Sequence, residues 1–142
     1  MKKIEDYLYE REMQIIRSAC SDIWKNFGGA FKESIIDKAL AIALENRGLC
    51  VENQKRIDIY FDGKKVGTYV PDKIINDIIL IELKCKQFLL IEDKKQFWHY
   101  LKASNYKVGL LINFSPRRVE IYRRVYDKAR KFEGFKRRNN GA

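Results

Sequence analysis

One histidine, His99, stands in 142 residues. Mechanisms that need two imidazoles are therefore excluded within one chain, as are the usual histidine-rich zinc sites. Cysteine is nearly as scarce. Cys20, Cys50 and Cys85 are odd in number and show no C-x-x-C spacing, which argues against both a disulfide framework and a thiolate zinc site. Cys85 lies in strand-like sequence and reads as packing. No stretch approaches the roughly 20 apolar residues that a bilayer requires, and Met1-Lys2-Lys3-Ile4-Glu5-Asp6 is not followed by a signal-type apolar run. A cytoplasmic protein without membrane association is the expectation. Internal repeats and low-complexity linkers are also missing. Whatever catalysis the chain performs must rest on carboxylates and lysines.

What is abundant is positive charge. Lysine and arginine number 29 against 19 acids, a formal net charge of +10, so a polyanion is the natural partner. From Arg117 to the C-terminus ten basic residues, among them Arg117, Arg118, Arg123 and Arg124, face three acids. These four arginines are candidate nucleic-acid contacts, since backbone phosphates are sequence-blind targets for such a cluster. A solvated, solubilising tail is the plainer reading. With 46% hydrophobic residues, the length suits one domain spanning residues 1–142, with an N-terminal helical segment at 1–27 and a basic tail at about 125–142.

Apolar residues from Ile4 to Phe27 recur at spacings that suit one or two helices, and Gly28-Gly29 punctuates them. Phe31, Ile35, Ala39 and Ile42, with Ile36, Leu40, Ala43 and Leu44, then form a wide stripe at helical spacing that closes at Arg47-Gly48. After Gly48 the period changes. Leu49 to Phe61 and Val66 to Ile75 read as two strands joined by the hairpin signal Asp62-Gly63-Lys64-Lys65, and Asn76-Asp77 turns the chain into a third strand, Ile78 to Cys85. That strand is apolar on both faces, as a central strand should be. Leu90 to Ser104 returns to the helical period, Lys107 to Asn113 is a further buried strand, and Val119 to Tyr122 suits a short edge strand.

Glu82 and Lys84 interrupt the central strand at a separation of two, so both side chains point to one face. Burying either charge unpaired costs on the order of several kcal/mol, because the ion loses its hydration. A Glu82–Lys84 ion pair would answer this by itself. A third member, however, lies one strand earlier: the turn at Asn76-Asp77 puts position 72 opposite about position 81, within cross-strand or diagonal reach of Glu82. Two carboxylates, Asp72 and Glu82, then converge beside Lys84. Like charges that close call for a cation, and hard oxygen donors favour Mg²⁺ or Mn²⁺. Glu33 continues the line of Ile36, Leu40 and Leu44 and is a fourth candidate, with a first-turn acid favoured by the helix dipole as the alternative. Gln96 and Tyr100 are four apart and share a helical face, as a hydrogen-bonded surface pair also would.

The run Pro71-Asp72, nine residues, Glu82-Leu83-Lys84 resembles the PD-(D/E)XK nuclease signature, and Gln96-x-x-x-Tyr100 is similar to the QxxxY motif of its RecB and lambda-exonuclease-like branches. From Gly28 to about Arg124 the chain resembles the small GxxExxY proteins of that superfamily, in Glu33-Ser34, Arg47-Gly48-Leu49, Asp62 to Gly67, Ile79 to Lys84, Gln96 to Leu101 and Lys107 to Phe114. Ala30 and Ile36 stand where the name-giving Gly and Tyr would be, so that motif survives only in its acid. The resemblance implies an α/β, restriction-endonuclease-like αβββαβ core with a mixed central sheet flanked by helices. It implies Asp72, Glu82, the Leu83 carbonyl and Glu33 as metal ligands, Lys84 as the residue that positions water, and Gln96 and Tyr100 as supports. The function so expected is Mg²⁺- or Mn²⁺-dependent phosphodiester hydrolysis, with DNA the expected substrate. A non-cleaving nucleic-acid-binding module is the alternative. Cutting both strands at once would require a homodimer of so small a domain.

Overall fold

The structure, a computed structural model, describes residues 8–29 and 31–128. Helix α1 spans Glu10–Phe27 and α2 spans Glu33–Asn46. Four short strands follow: β1 Val51–Asn53, β2 Ile57–Phe61, β3 Lys64–Tyr69 and β4 Lys73–Ile75. Then come β5 Ile79–Lys84, α3 Ile91–Ser104, β6 Val108–Phe114 and β7 Val119–Val125. A five-stranded sheet runs β1-β4-β5-β6-β7, in which β5 and β6 are parallel and the other pairs antiparallel. This is the mixed sheet of a restriction-endonuclease-like α/β fold.

Two details of the expected strands are corrected. Leu49 to Phe61 is not one strand: the chain turns at Gln54, which adopts φ 55°, and divides into β1 and β2. Val66 to Ile75 likewise divides, because Pro71 has no N–H to donate and cannot extend a ladder. Strands β2 and β3 consequently form a separate two-stranded hairpin, while β1 and β4 pair in the main sheet. The turn residues are as the sequence reads. Asp62 and Gly63, at φ 53° and 76°, and Asn76 and Asp77, at 51° and 57°, hold the doubly left-handed conformation of tight hairpins.

The sheet is covered on both faces. Ile79, Ile81 and Leu83 of β5 pack with Ile16, Cys20, Ile36, Leu40 and Leu44 of α1 and α2. Leu80, with Leu111 of β6, faces Phe97 and Leu101 of α3 and Tyr69 of the hairpin. Gly109 permits that approach, since a Cβ there would lie 2.7 Å from Phe97 Cζ. The wide stripe expected on α2 is narrower than its composition: Ile36, Leu40 and Leu44 are buried, whereas Ile35 and Ile42 are exposed. Cys85 lies just beyond β5, and burial raises its thiol to about 11 and that of Cys20 to about 12, which leaves both as inert packing groups. No described helix is long and apolar enough to cross a membrane.

Candidate active site

Strand β4 meets β5 over three residues only, Lys73 opposite Ile81 through Ile75 opposite Ile79. Beyond Ile81, β5 keeps β6 as a partner, with Glu82 beside Leu111 and Lys84 beside Asn113, while β4 has ended at Pro71-Asp72. The two strands therefore splay, and the register extended by one step sets Asp72 across from Glu82, one place from position 81 anticipated for it. Their meeting is reciprocal. Asp72 Oδ2 accepts a hydrogen bond from the Leu83 N–H at 2.7 Å, and the Asp72 N–H is bonded to the Glu82 carboxylate. A strand residue sends N–H and C=O to the same side, so the Leu83 carbonyl faces the same gap.

Both acids are held in conditions that oppose their charge. Burial is the largest cause for each, and the Asp72 carboxylate adds to it at Glu82, whose pKa stands at about 7. Asp72 is raised by burial and by Asp37, against hydrogen bonds from Leu83 and the Gln54 side chain. Lys84 lowers the Glu82 pKa through space, but a closed Glu82–Lys84 ion pair is not formed among the described residues. Glu82 Oε1 accepts its side-chain hydrogen bond from Tyr69 Oη.

Glu33 sits in the first turn of α2 and, with Lys32, Asp37, Gln54 and Asp72, lines an open cleft of about 440 Å³. The residue as a whole is exposed instead of continuing the buried line below it. Desolvation of its carboxyl end in the cleft, and then the Asp72 charge, raise its pKa. Tyr100 reaches the site indirectly: its ring stacks on Tyr69 at 4.2 Å and 3°. Gln96 is exposed on α3 and enters none of these hydrogen bonds among the described residues.

Three residues of the site carry no motif and escaped the sequence reading. Tyr69 orients Glu82. Lys73 is completely buried, and its ammonium bonds Asp37 in a short ion pair and Asn53 Oδ1 at 2.8 Å, tying the start of α2 to β4 beside Asp72. A signal existed for the last pair: Asp37 is four residues after Glu33 on one helical face, and Lys73 interrupts an apolar strand next to Asp72.

Among the described residues no three acidic, histidine or cysteine side chains gather into a complete metal-binding group. The residues present nevertheless fit a small divalent cation. Mg²⁺ commonly takes only one or two carboxylates from a protein and completes its shell with water and substrate phosphate. Asp72, Glu82 and the Leu83 carbonyl are hard oxygen donors around one gap, and both acids would gain from a cation that relieved their repulsion.

The sequence model of the PD-(D/E)XK nuclease superfamily matches residues 10–125, a span that includes every strand and helix around this gap. The chain belongs to that superfamily. No curated protein matches it. Among solved structures, the crystal structure of SSO0001 shares 23% identity at a TM-score of 0.45, covering 80% of this PD-(D/E)XK chain and 61% of that one. The chain thus spans less than two thirds of that protein's length.

The four arginines do not form one patch. Arg117 and Arg118 are exposed in the turn between β6 and β7. Arg123 and Arg124 are neighbours in β7 and point to opposite faces. Arg123 bonds the Leu8 carbonyl, and Arg124 stacks 4.0 Å from the Trp98 ring and bonds Tyr122. Most of the basic tail, from residue 129 onward, lies outside the described residues, as do residues 1–7 of the N-terminal segment and Ala30.

Proposed function

We propose that this chain is a Mg²⁺- or Mn²⁺-dependent nuclease that hydrolyses phosphodiester bonds, with DNA as its substrate. The observation that carries the reading is the convergence of Asp72 and Glu82 on the β4–β5 gap, with Lys84 on the same face as Glu82. A divalent cation bound there lowers the pKa of water and screens charge on the phosphate. Asp72, Glu82 and the Leu83 carbonyl supply its oxygen donors, with Glu33 able to add a direct or water-mediated contact from the cleft. Lys84 Nζ orients the attacking water and meets the negative charge that develops on the phosphoryl oxygens. Tyr69 holds Oε1 of Glu82 in place, and Tyr100 braces Tyr69 by stacking. Gln96, on the face of α3 shared with Tyr100, would support substrate. Cutting both strands of a duplex at once would take two copies, and action in the cytoplasm accords with this reading.

Asp72→Ala and Glu82→Ala should each abolish Mg²⁺-dependent cutting of labelled DNA while leaving the circular dichroism spectrum intact. Undiminished cutting by either purified variant sinks the assignment. One observation favours a second reading, a nucleic-acid-binding accessory module that does not cut: Asp72 and Glu82 already accept hydrogen bonds from the Leu83 N–H and from Tyr69. Thermal melting under Mn²⁺ titration separates the two, because a ligand that binds only the native state raises Tm. No rise in the wild type, or an equal rise in Glu82→Ala, would favour the accessory module.

A further inference from the structure

We propose that a pocket beside the catalytic end of β5 receives an unpaired nucleotide, so that the substrate of the proposed nuclease is a single strand or a strand end. The inference rests on the nuclease reading only for its name of the substrate, and its site is separate from the metal donors. Because β5 and β6 are parallel, with Lys84 beside Asn113, the segments leaving them emerge side by side at the end of the sheet where the acids lie. Beside these segments is a pocket of about 320 Å³, lined by Gln87 and Phe88 after β5, by Pro116, Arg117 and Arg118 after β6, and by Glu120 of β7. This volume is at the small end of ligand pockets. It suits a single nucleotide.

Both walls are fixed in place. The Lys86 N–H donates to Asn113 Oδ1 at 2.8 Å, and Asn113 Nδ2 donates to the Lys86 carbonyl at 3.1 Å. Lys86 Nζ and the Leu90 N–H both bond Asp93 of α3. Between these anchors Leu89 packs on the core, while Phe88 remains 63% exposed. This pinned loop packs one apolar residue, partly buried, on the core and displays a larger one, which leaves the aromatic face open to a partner. Opposite it, Ser115 Oγ donates to the Arg118 carbonyl at 2.7 Å, and Trp24 Nε1 donates to the Ser115 carbonyl at 2.9 Å. That closed turn carries two exposed guanidinium groups toward solvent. Glu120 accepts from Asn113 Nδ2 at 2.9 Å, so this lining residue of β7 is joined to the β5 exit by one buried asparagine.

The chemistry is that of base and phosphate together. Phe88 offers a π-face to any base that is not already stacked in a duplex, Gln87 offers an amide to base edges, and Arg117 offers charge to phosphates together with Arg118, which lies 3.9 Å from Glu120 and is otherwise open to solvent. The arginines also border a second cavity with Arg17 and Lys25 of α1, which extends the positive track away from the site.

Fluorescence anisotropy on the full chain tests this in EDTA at fixed salt, where binding is read without cutting. The probes are a labelled single strand, a blunt duplex of the same sequence and a duplex with a single-stranded overhang, each as DNA and as RNA. Single strand and overhang should bind more tightly than blunt duplex. Phe88→Ala should weaken those two about tenfold and the blunt duplex less than about twofold, and Phe88→Trp should restore them. Whichever sugar series shows the Phe88 dependence identifies the strand taken. Tightest binding to blunt duplex, or a Phe88→Ala effect that is absent or equal on all three probes, overturns the proposal. Because the anisotropy is read in EDTA and the cutting assay in Mg²⁺, loss of cutting in Asp72→Ala and loss of strand preference in Phe88→Ala are independent results.

Discussion

Replacing Lys73 by methionine gives the sharpest test of how the site is braced. Its ammonium is completely buried and paired with Asp37, whose side chain keeps 20% of its surface exposed. Removing one partner of a buried pair costs about 3–5 kcal/mol, because the other charge is stranded. In Lys73→Met the stranded group is Asp37, which water can partly reach, so a cost near the lower figure, about 3 kcal/mol, is expected. Asp37→Leu instead strands an ammonium with no access to water, which keeps one hydrogen bond among the described residues, to Asn53, and meets the Asp72 charge only through space. That variant should be the worse, by about 1–2 kcal/mol on the same scale. Removing both charges together leaves neither stranded, and Lys73→Met with Asp37→Leu should fall within about 1 kcal/mol of the wild type. Urea unfolding reads all three. With a slope of about 2 kcal/mol per molar, the lysine variant should move its midpoint down by about 1.5 M and the double variant by under about 0.5 M. If the double variant loses as much as the two single losses added, or if Lys73→Met proves worse than Asp37→Leu, the reasoning is refuted.

Glu82 links stability to pH. Its carboxyl moves from 4.5 to about 7 on folding, so across that window the folded chain binds the extra proton and stability decreases as pH rises, by something of order 3 kcal/mol. Melting in EDTA between pH 5 and 7.5 should show the decline, and Glu82→Gln should flatten it; an unchanged slope in that variant would falsify the assignment. Tyr69→Phe keeps the stack on Tyr100 but removes the bond that favours ionised Glu82, so the acidic limb of the pH–cleavage profile should move to higher pH. A profile that stays in place would show that Tyr69 does not govern that carboxyl. Gly29→Ala would set a Cβ 1.7 Å from the Ser115 carbonyl oxygen, where backbone cannot yield, whereas a Cβ at Gly109 meets only side-chain ends, the nearest at 2.7 Å. Thermal melting should therefore rank Gly29→Ala well below Gly109→Ala, and the reverse order would mean that the turn carrying Arg117 can shift.

The sequence by itself determined what depends on neighbours along the chain. Asp62-Gly63 and Asn76-Asp77 specify tight turns through residues that tolerate left-handed backbone, and Ile36, Leu40 and Leu44 mark a buried face by their spacing. Alternation alone set Glu82 and Lys84 on one side of β5, and the turn after β4 was enough to bring Asp72 near them. Only the tertiary structure decided what depends on where elements end and what lies across from them. Pro71 and Gln54 broke two expected strands into four, which lifted a hairpin out of the main sheet and delivered Tyr69 to Glu82. Folding α2 over β4 paired Asp37 with Lys73, at a sequence distance that no local period encodes. Arg123 and Arg124, adjacent in the chain, were sent to opposite faces of a sheet, because strand geometry separates neighbours that a charge count treats as one cluster.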